Sequence, residues 1–96
     1  MKMVIITYNE AIDMEMMEIL GQCGIEGYTK ITNTYGKGKS SGTHLGDDIW
    51  PGKNNILYIA CQDEEAKQLI SGIKSLRKTL GHEGVKAFVL PVDSLT

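Results

Sequence analysis

The stretch that decides the fold is "NILYIACQDEEAKQLISGIKSLRKTLGHEGVKAFVLPV", residues 55–92. It opens with an apolar run too short for a helix and rich in β-branched and aromatic residues, which marks 55–62 as a buried strand. Asp63 follows as an N-cap, with Glu64 and Glu65 in the positive first turn of a helix. Ala66, Leu69, Ile70, Ile73, Leu76 and Leu80 recur at helical spacing, Lys74, Arg77 and Lys78 sit toward the negative end, and Gly81 closes the run. Residues 85–92 are again strand, and Pro91 places them at an edge or an end of a sheet.

The first half of the chain repeats the pattern. Residues 2–8, "KMVIITY", are apolar at both parities, as in a central strand. Asn9 offers an N-cap, and Glu10 and Asp13 suit the start of a helix. Ile12, Met16, Ile19, Leu20 and Cys23 make its apolar face before Gly24 ends it. Residues 25–35, "IEGYTKITNTY", alternate in polarity like a half-exposed strand. The order β-α-β-β-α-β predicts an α+β, ferredoxin-like sandwich: a four-stranded antiparallel sheet with two helices on one face. The first, third and fourth strands carry apolar residues on both faces, so the second face needs a cover. The chain has no spare element, and another copy of the chain is the natural candidate.

Whole-chain properties restrict the function. Ninety-six residues make a single domain, 1–96, with a net charge of −2 and no basic footprint for nucleic acid. No apolar run approaches the roughly 20 residues of a membrane span, and the N-terminus does not read as a signal peptide. Cys23 and Cys61, outside any C-x-x-C pair, are expected to be free thiols in a reducing cytoplasm.

Residues 36–53 interrupt this economy. The segment is long for a compact domain and holds Gly36, Gly38, Gly42, Gly46 and Gly52, so it is expected to be a flexible functional loop. Gly38-Lys39-Ser40 resembles the end of a phosphate-binding loop, but Asn33 stands where the leading glycine belongs and no helix pattern follows. The "GKGK" of Gly36, Lys37, Gly38 and Lys39 is either a backbone nest for an anion or a solvated turn. His44, Asp47 and Asp48 are either ligands for a divalent metal or ordinary polar loop residues. Trp50, before Pro51, either packs back on the body or anchors a partner. Met14, Met16 and Met17 are core and interface filler. No residues assemble into a catalytic arrangement, and an enzyme is not expected.

"GIEGYTK" (24–30) ahead of a long loop, and "VKAFVLPVDSL" (85–95) after the second helix, resemble the PII signal-transduction proteins. The resemblance covers nearly the whole chain apart from the middle loop. It implies a cytoplasmic homotrimer with its sheets packed around a three-fold axis, and it makes 36–53 a T-loop that engages a target protein, a transporter or an enzyme. It also implies ATP or ADP as ligand in a cleft between subunits, and nitrogen regulation as the setting. Carried over residue by residue, the ligand positions are Thr29, Gly36, Gly38, Gly84 and Lys86, and the nest reading adds Lys37 and Lys39 beside the loop glycines. His44, Asp47, Asp48 and Trp50 belong to the partner-binding loop. The sequence departs from the family where "GHEGVK" (81–86) replaces Gly-Asp-Gly-Lys, where Ser40 or Ser41 stands in place of the glutamine expected after the loop glycines, where the final "DSLT" carries no Arg-x-Arg, and where the shorter loop has no tyrosine for uridylylation. Two rival functions share the architecture: a metal-responsive trimer of the CutA kind, and an adaptor without any ligand.

Overall fold

The computed structural model describes residues 1–36, 53–80 and 84–96. The elements are β1 (Lys2–Asn9), a 3-10 turn (Glu10–Ile12), α1 (Asp13–Gln22), β2 (Thr29–Thr34), β3 (Asn54–Cys61), α2 (Asp63–Leu80) and β4 (Val85–Pro91). The strands form one sheet in the order β2-β3-β1-β4, antiparallel at every pairing. This is the ferredoxin-like sandwich that the pattern predicts. Pro91 ends β4, which lies at the sheet edge, so its missing N–H interrupts no interior pairing.

Local chemistry sets the element ends, and at three of them the structure corrects the sequence. Asn9 caps the 3-10 turn rather than α1 itself: its side chain accepts from the Ala11 N–H at 2.9 Å. The chain must turn away from the sheet before a helix can run back over it. Asp63 is the first residue of α2, not its cap; Gln62 precedes it and donates its N–H to Glu65 Oε1 at 2.8 Å. That contact is half of a capping box. Asp63 instead meets the N-terminal amine at 3.1 Å, which holds its carboxyl below the ordinary value. Finally, β2 starts at Thr29, because α1 ends in a turn that uses the residues just before it. Gly24 takes φ +72°, its N–H bonds the Gly21 carbonyl at 3.1 Å, and the Ile25 N–H reaches Leu20 O at 2.9 Å. Both bonds, with Leu20 and Ile25 buried together, complete a Schellman motif.

The core lies between the sheet and the helices. Val4, Ile6 and Tyr8 of β1, Leu57 and Ile59 of β3, Met16 and Leu20 of α1, and Leu69 of α2 are all at most 2% exposed. The opposite sheet face is apolar, and no described element covers it. Register places Met3 beside Ala60 and Leu90, Ile5 beside Tyr58 and Phe88, and Thr7 beside Ile56 and Lys86. On this face Phe88 is 51% exposed, Leu90 44% and Tyr58 38%. A contiguous band of that kind marks an interaction surface rather than scattered surface apolarity.

The helices meet where α2 has no side chain. A Cβ on Gly72 would sit 3.0 Å from Ile19 Cγ2 of α1. Gly72→Leu is therefore expected to overpack this crossing and cost about 1–3 kcal/mol, read as a lowered urea midpoint. An unchanged midpoint would mean the helices can separate freely.

Candidate functional site

One end of the sheet gathers the ends of both undescribed segments. Thr34 Oγ1 of β2 donates to the Asn54 carbonyl of β3 at 2.5 Å. A Cβ on Gly36 would come 2.9 Å from Asn54 Nδ2, so the chain passes tightly over β3 as it leaves the sheet. On the return, the Lys53 carbonyl accepts from the Glu10 N–H at 3.0 Å. The Gly84 carbonyl, preceding β4, accepts from the Asn9 N–H at 2.8 Å. Gly36, Lys53 and Gly84, which border residues 37–52 and 81–83, thus gather at the same end, where the adjacent amides of Asn9 and Glu10 hold Gly84 and Lys53.

The conformation of Gly84 is part of this arrangement. Its φ of +95° lies in the left-handed region, where a side chain is strained. Lys86, two residues on, is exposed on the open sheet face opposite Thr7. Among the described residues it makes no ion pair.

Thr29 is not at the loop base. It opens β2 opposite Tyr58, in the Ile5 row, while the chain leaves the sheet at the other end of that strand. Thr29 and Lys86 share the open face but occupy opposite sheet edges. Three strand spacings of about 4.8 Å separate those edges by roughly 14 Å. One chain does not bring the two together. Of the other expected positions, Lys37, Gly38 and Lys39 lie outside the described residues, as do His44, Asp47, Asp48 and Trp50 of the partner-binding loop. Among the described residues no cluster of His, Cys, Asp and Glu has the makings of a metal site.

The structure also shows a polar cluster that the sequence analysis missed. Asp13 Oδ1 accepts from Tyr8 Oη at 2.5 Å, Lys30 Nζ at 2.8 Å and Asn55 Nδ2 at 3.3 Å. Three strands and the start of α1 meet at this one oxygen. Lys30 also lies 3.6 Å from Met17 Sδ and 6.0 Å from the Tyr28 ring centre. Burial alone would raise the Asp13 carboxyl, but the Lys30 and Tyr8 hydrogen bonds and the Lys30 charge outweigh it, and its pKa falls below the ordinary value. Burial first, and the bond to Asp13 next, push the Tyr8 hydroxyl far above its usual range, so it remains a donor. A signal existed in the sequence. Tyr8 shares the buried parity of Val4 and Ile6, and a buried hydroxyl there requires a partner.

With fold and site in view, the class is clear: a ferredoxin-like sandwich carrying two loops at one end and an open apolar face behind. The family model "Nitrogen regulatory protein P-II" matches residues 1–96. The chain is 31% identical over 79 residues to "Nitrogen fixation nifHD region GlnB-like protein 1" of Methanothermococcus thermolithotrophicus, covering 81% of this chain and 74% of that protein. Among solved structures it resembles CPII, a nitrogen regulatory PII-like protein from Thiomonas intermedia K12, bound to ADP, AMP and bicarbonate. That likeness has a TM-score of 0.67 and 21% identity, over 99% of this chain and 94% of that one. The apo form of CPII gives a TM-score of 0.68 and 21% identity, over 95% and 89%. The chain belongs to the P-II family.

The Asp13 cluster makes a pH prediction. Its carboxyl titrates below its unfolded value, so its contribution is full above an unfolded pKa of about 3.9 and is lost as pH falls through the lower folded pKa. With the pair's side chains 22% and 37% exposed, Asp13→Asn is expected to cost only about 1 kcal/mol at pH 7. Urea unfolding should show that difference closing as the pH drops below 4 (about the unfolded value). A gap equally wide at acid pH would show that ionisation of Asp13 contributes nothing.

Proposed function

We propose that this protein is a cytoplasmic, non-enzymatic signalling trimer that binds an adenine nucleotide at the loop-bearing end and reports the bound state to a target protein through residues 36–53. The observation that carries the proposal is the shared anchoring of both loops. Asn9 holds Gly84 and Glu10 holds Lys53 through successive amides, so a ligand touching one loop bears on the base of the other. Lys86 stands beside this end as the cation for a phosphate. Membership of the P-II family supports regulation rather than catalysis, and the ADP and AMP bound by CPII support an adenine nucleotide. Bicarbonate, bound to the same protein, is a natural second small anion to test.

The open face supports a trimer. Burying Ile5, Tyr58, Phe88 and Leu90 against two other copies would cover what the helices leave exposed. A trimer also accounts for Thr29 and Lys86. A ligand that touches both must lie where the β2 edge of one copy approaches the β4 edge of the next. Nitrogen control is the setting that the relatives' names favour.

Thermal-shift measurements with ATP, ADP, AMP, bicarbonate and divalent metals should show stabilisation by an adenine nucleotide. Lys86→Ala should then weaken its binding by about ten- to a hundredfold, the value of one charge-assisted contact. Light scattering should still report three chains per particle, and Lys67→Ala on α2 should leave binding unchanged. Unaltered affinity in Lys86→Ala would place the ligand elsewhere, and stabilisation by metals alone would favour the metal-responsive alternative. Phe88→Asp, by placing a charge in the apolar band, should lower the particle mass. A native protein that is monomeric at micromolar concentration would overturn the trimer.

A further inference from the structure

Asn9, the last residue of β1, and the Glu10–Ile12 turn form a four-residue bridge to the start of α1, and its first two amides carry the loop anchors. The Asn9 N–H holds Gly84, and the Glu10 N–H holds Lys53. The Asn9 side chain accepts from the Ala11 N–H, which closes the turn on itself. The residues that flank the bridge are Tyr8 and Asp13, and they are joined directly by the Tyr8 Oη to Asp13 Oδ1 bond at 2.5 Å. The hydroxyl is locked in place, since Tyr8 is only 1% exposed. The same carboxylate oxygen also draws in Asn55, the neighbour of Asn54 on which Thr34 is anchored, and Lys30 from β2.

We infer that Asp13 is a positioning residue for both loops: its carboxylate staples Tyr8 to the start of α1 and so fixes the bridge whose amides anchor Lys53 and Gly84. The staple touches no ligand. It sets the spacing of the two anchors, and with it the distance between the loop bases. A carboxylate suits the role because one oxygen must satisfy three donors, one of them charged. An amide at this position can still accept from Tyr8, but it leaves the Lys30 ammonium without its counter-charge. In its binding arm the inference rests on the adenine-nucleotide function proposed above; in its structural arm it does not.

The test uses the full-length protein and three variants, Asp13→Asn, Tyr8→Phe and Lys30→Met. Amide hydrogen exchange without nucleotide reads the bridge directly. Asp13→Asn should speed exchange at Asn9 and Glu10 together by about tenfold or more, while Leu69 and Ile73 in α2 keep their protection, as local opening requires. Tyr8→Phe should act on the same two amides in the same direction, and it serves if Asp13→Asn does not fold. Lys30→Met leaves the staple intact and should affect β2 amides more than Asn9 and Glu10. Calorimetry with ADP should show weaker binding by Asp13→Asn, by about tenfold, with the particle mass unchanged. Exchange that is unaltered at Asn9 and Glu10 would overturn the inference. So would exchange that rises equally throughout the core, because Asp13 would then be a stability residue only. If the native protein binds no ADP, the nucleotide function fails, while the exchange result still decides the role of Asp13.

Discussion

Strand β1 cannot meet water on either face, and most of the molecule is arranged around that constraint. It is paired on both sides, by β3 and by β4, so its backbone is satisfied within the sheet. Val4, Ile6 and Tyr8 point under the helices, and Met3 and Ile5 point the other way. Two amphipathic helices close the first side. The second side leads to a band of Leu90, Phe88, Tyr58 and Ile31 that no described element covers. The fold and the proposed assembly therefore rest on one cause: a central strand apolar at both parities, with both described helices on one side of it.

The same strand also sets where a ligand site can form. Its last residue, Asn9, still pairs with Asn54, and beyond it the chain must turn and double back as α1. The Asn9 N–H donates to the Gly84 carbonyl and the Glu10 N–H to the Lys53 carbonyl, so the loop bases are held at the end of the most buried strand. In the function proposed above, this joins the packing of the strand to the ligand site.

Most of the architecture was legible in the sequence because it rests on periodicity. The two helices, the four strands, their order and the two-faced sheet all follow from apolar spacing, and Gly24 and Pro91 mark ends for reasons intrinsic to glycine and proline. What periodicity does not encode was missed. Asn9 and Asp63 are both good caps by residue type, yet one caps a 3-10 turn and the other lies inside its helix, because Gln62 and Glu65 form the contact at that end. Thr29 was carried over by a motif match without register, and register places it in the Ile5 row, away from the loop base. Gly84 and Lys86 lie near the loop-bearing end, since they adjoin residues 81–83 in sequence.

The Asp13 cluster was the least visible feature, and the reason is physical. Tyr8, Asp13, Lys30 and Asn55 come from four elements, and no spacing rule relates them. Each taken singly has an ordinary explanation: a strand-end tyrosine, an acid in a helix's first turn, a lysine on a half-exposed strand, an asparagine opening a strand. Only the fold brings three donors to one oxygen. A carboxylate there must be counted against its own desolvation, and it remains ionised because Lys30 and Tyr8 outweigh that cost. At such a half-buried pair the gain in stability is modest, about 1 kcal/mol. Their value lies in geometry, since the oxygen they share flanks the four residues from which both loops hang.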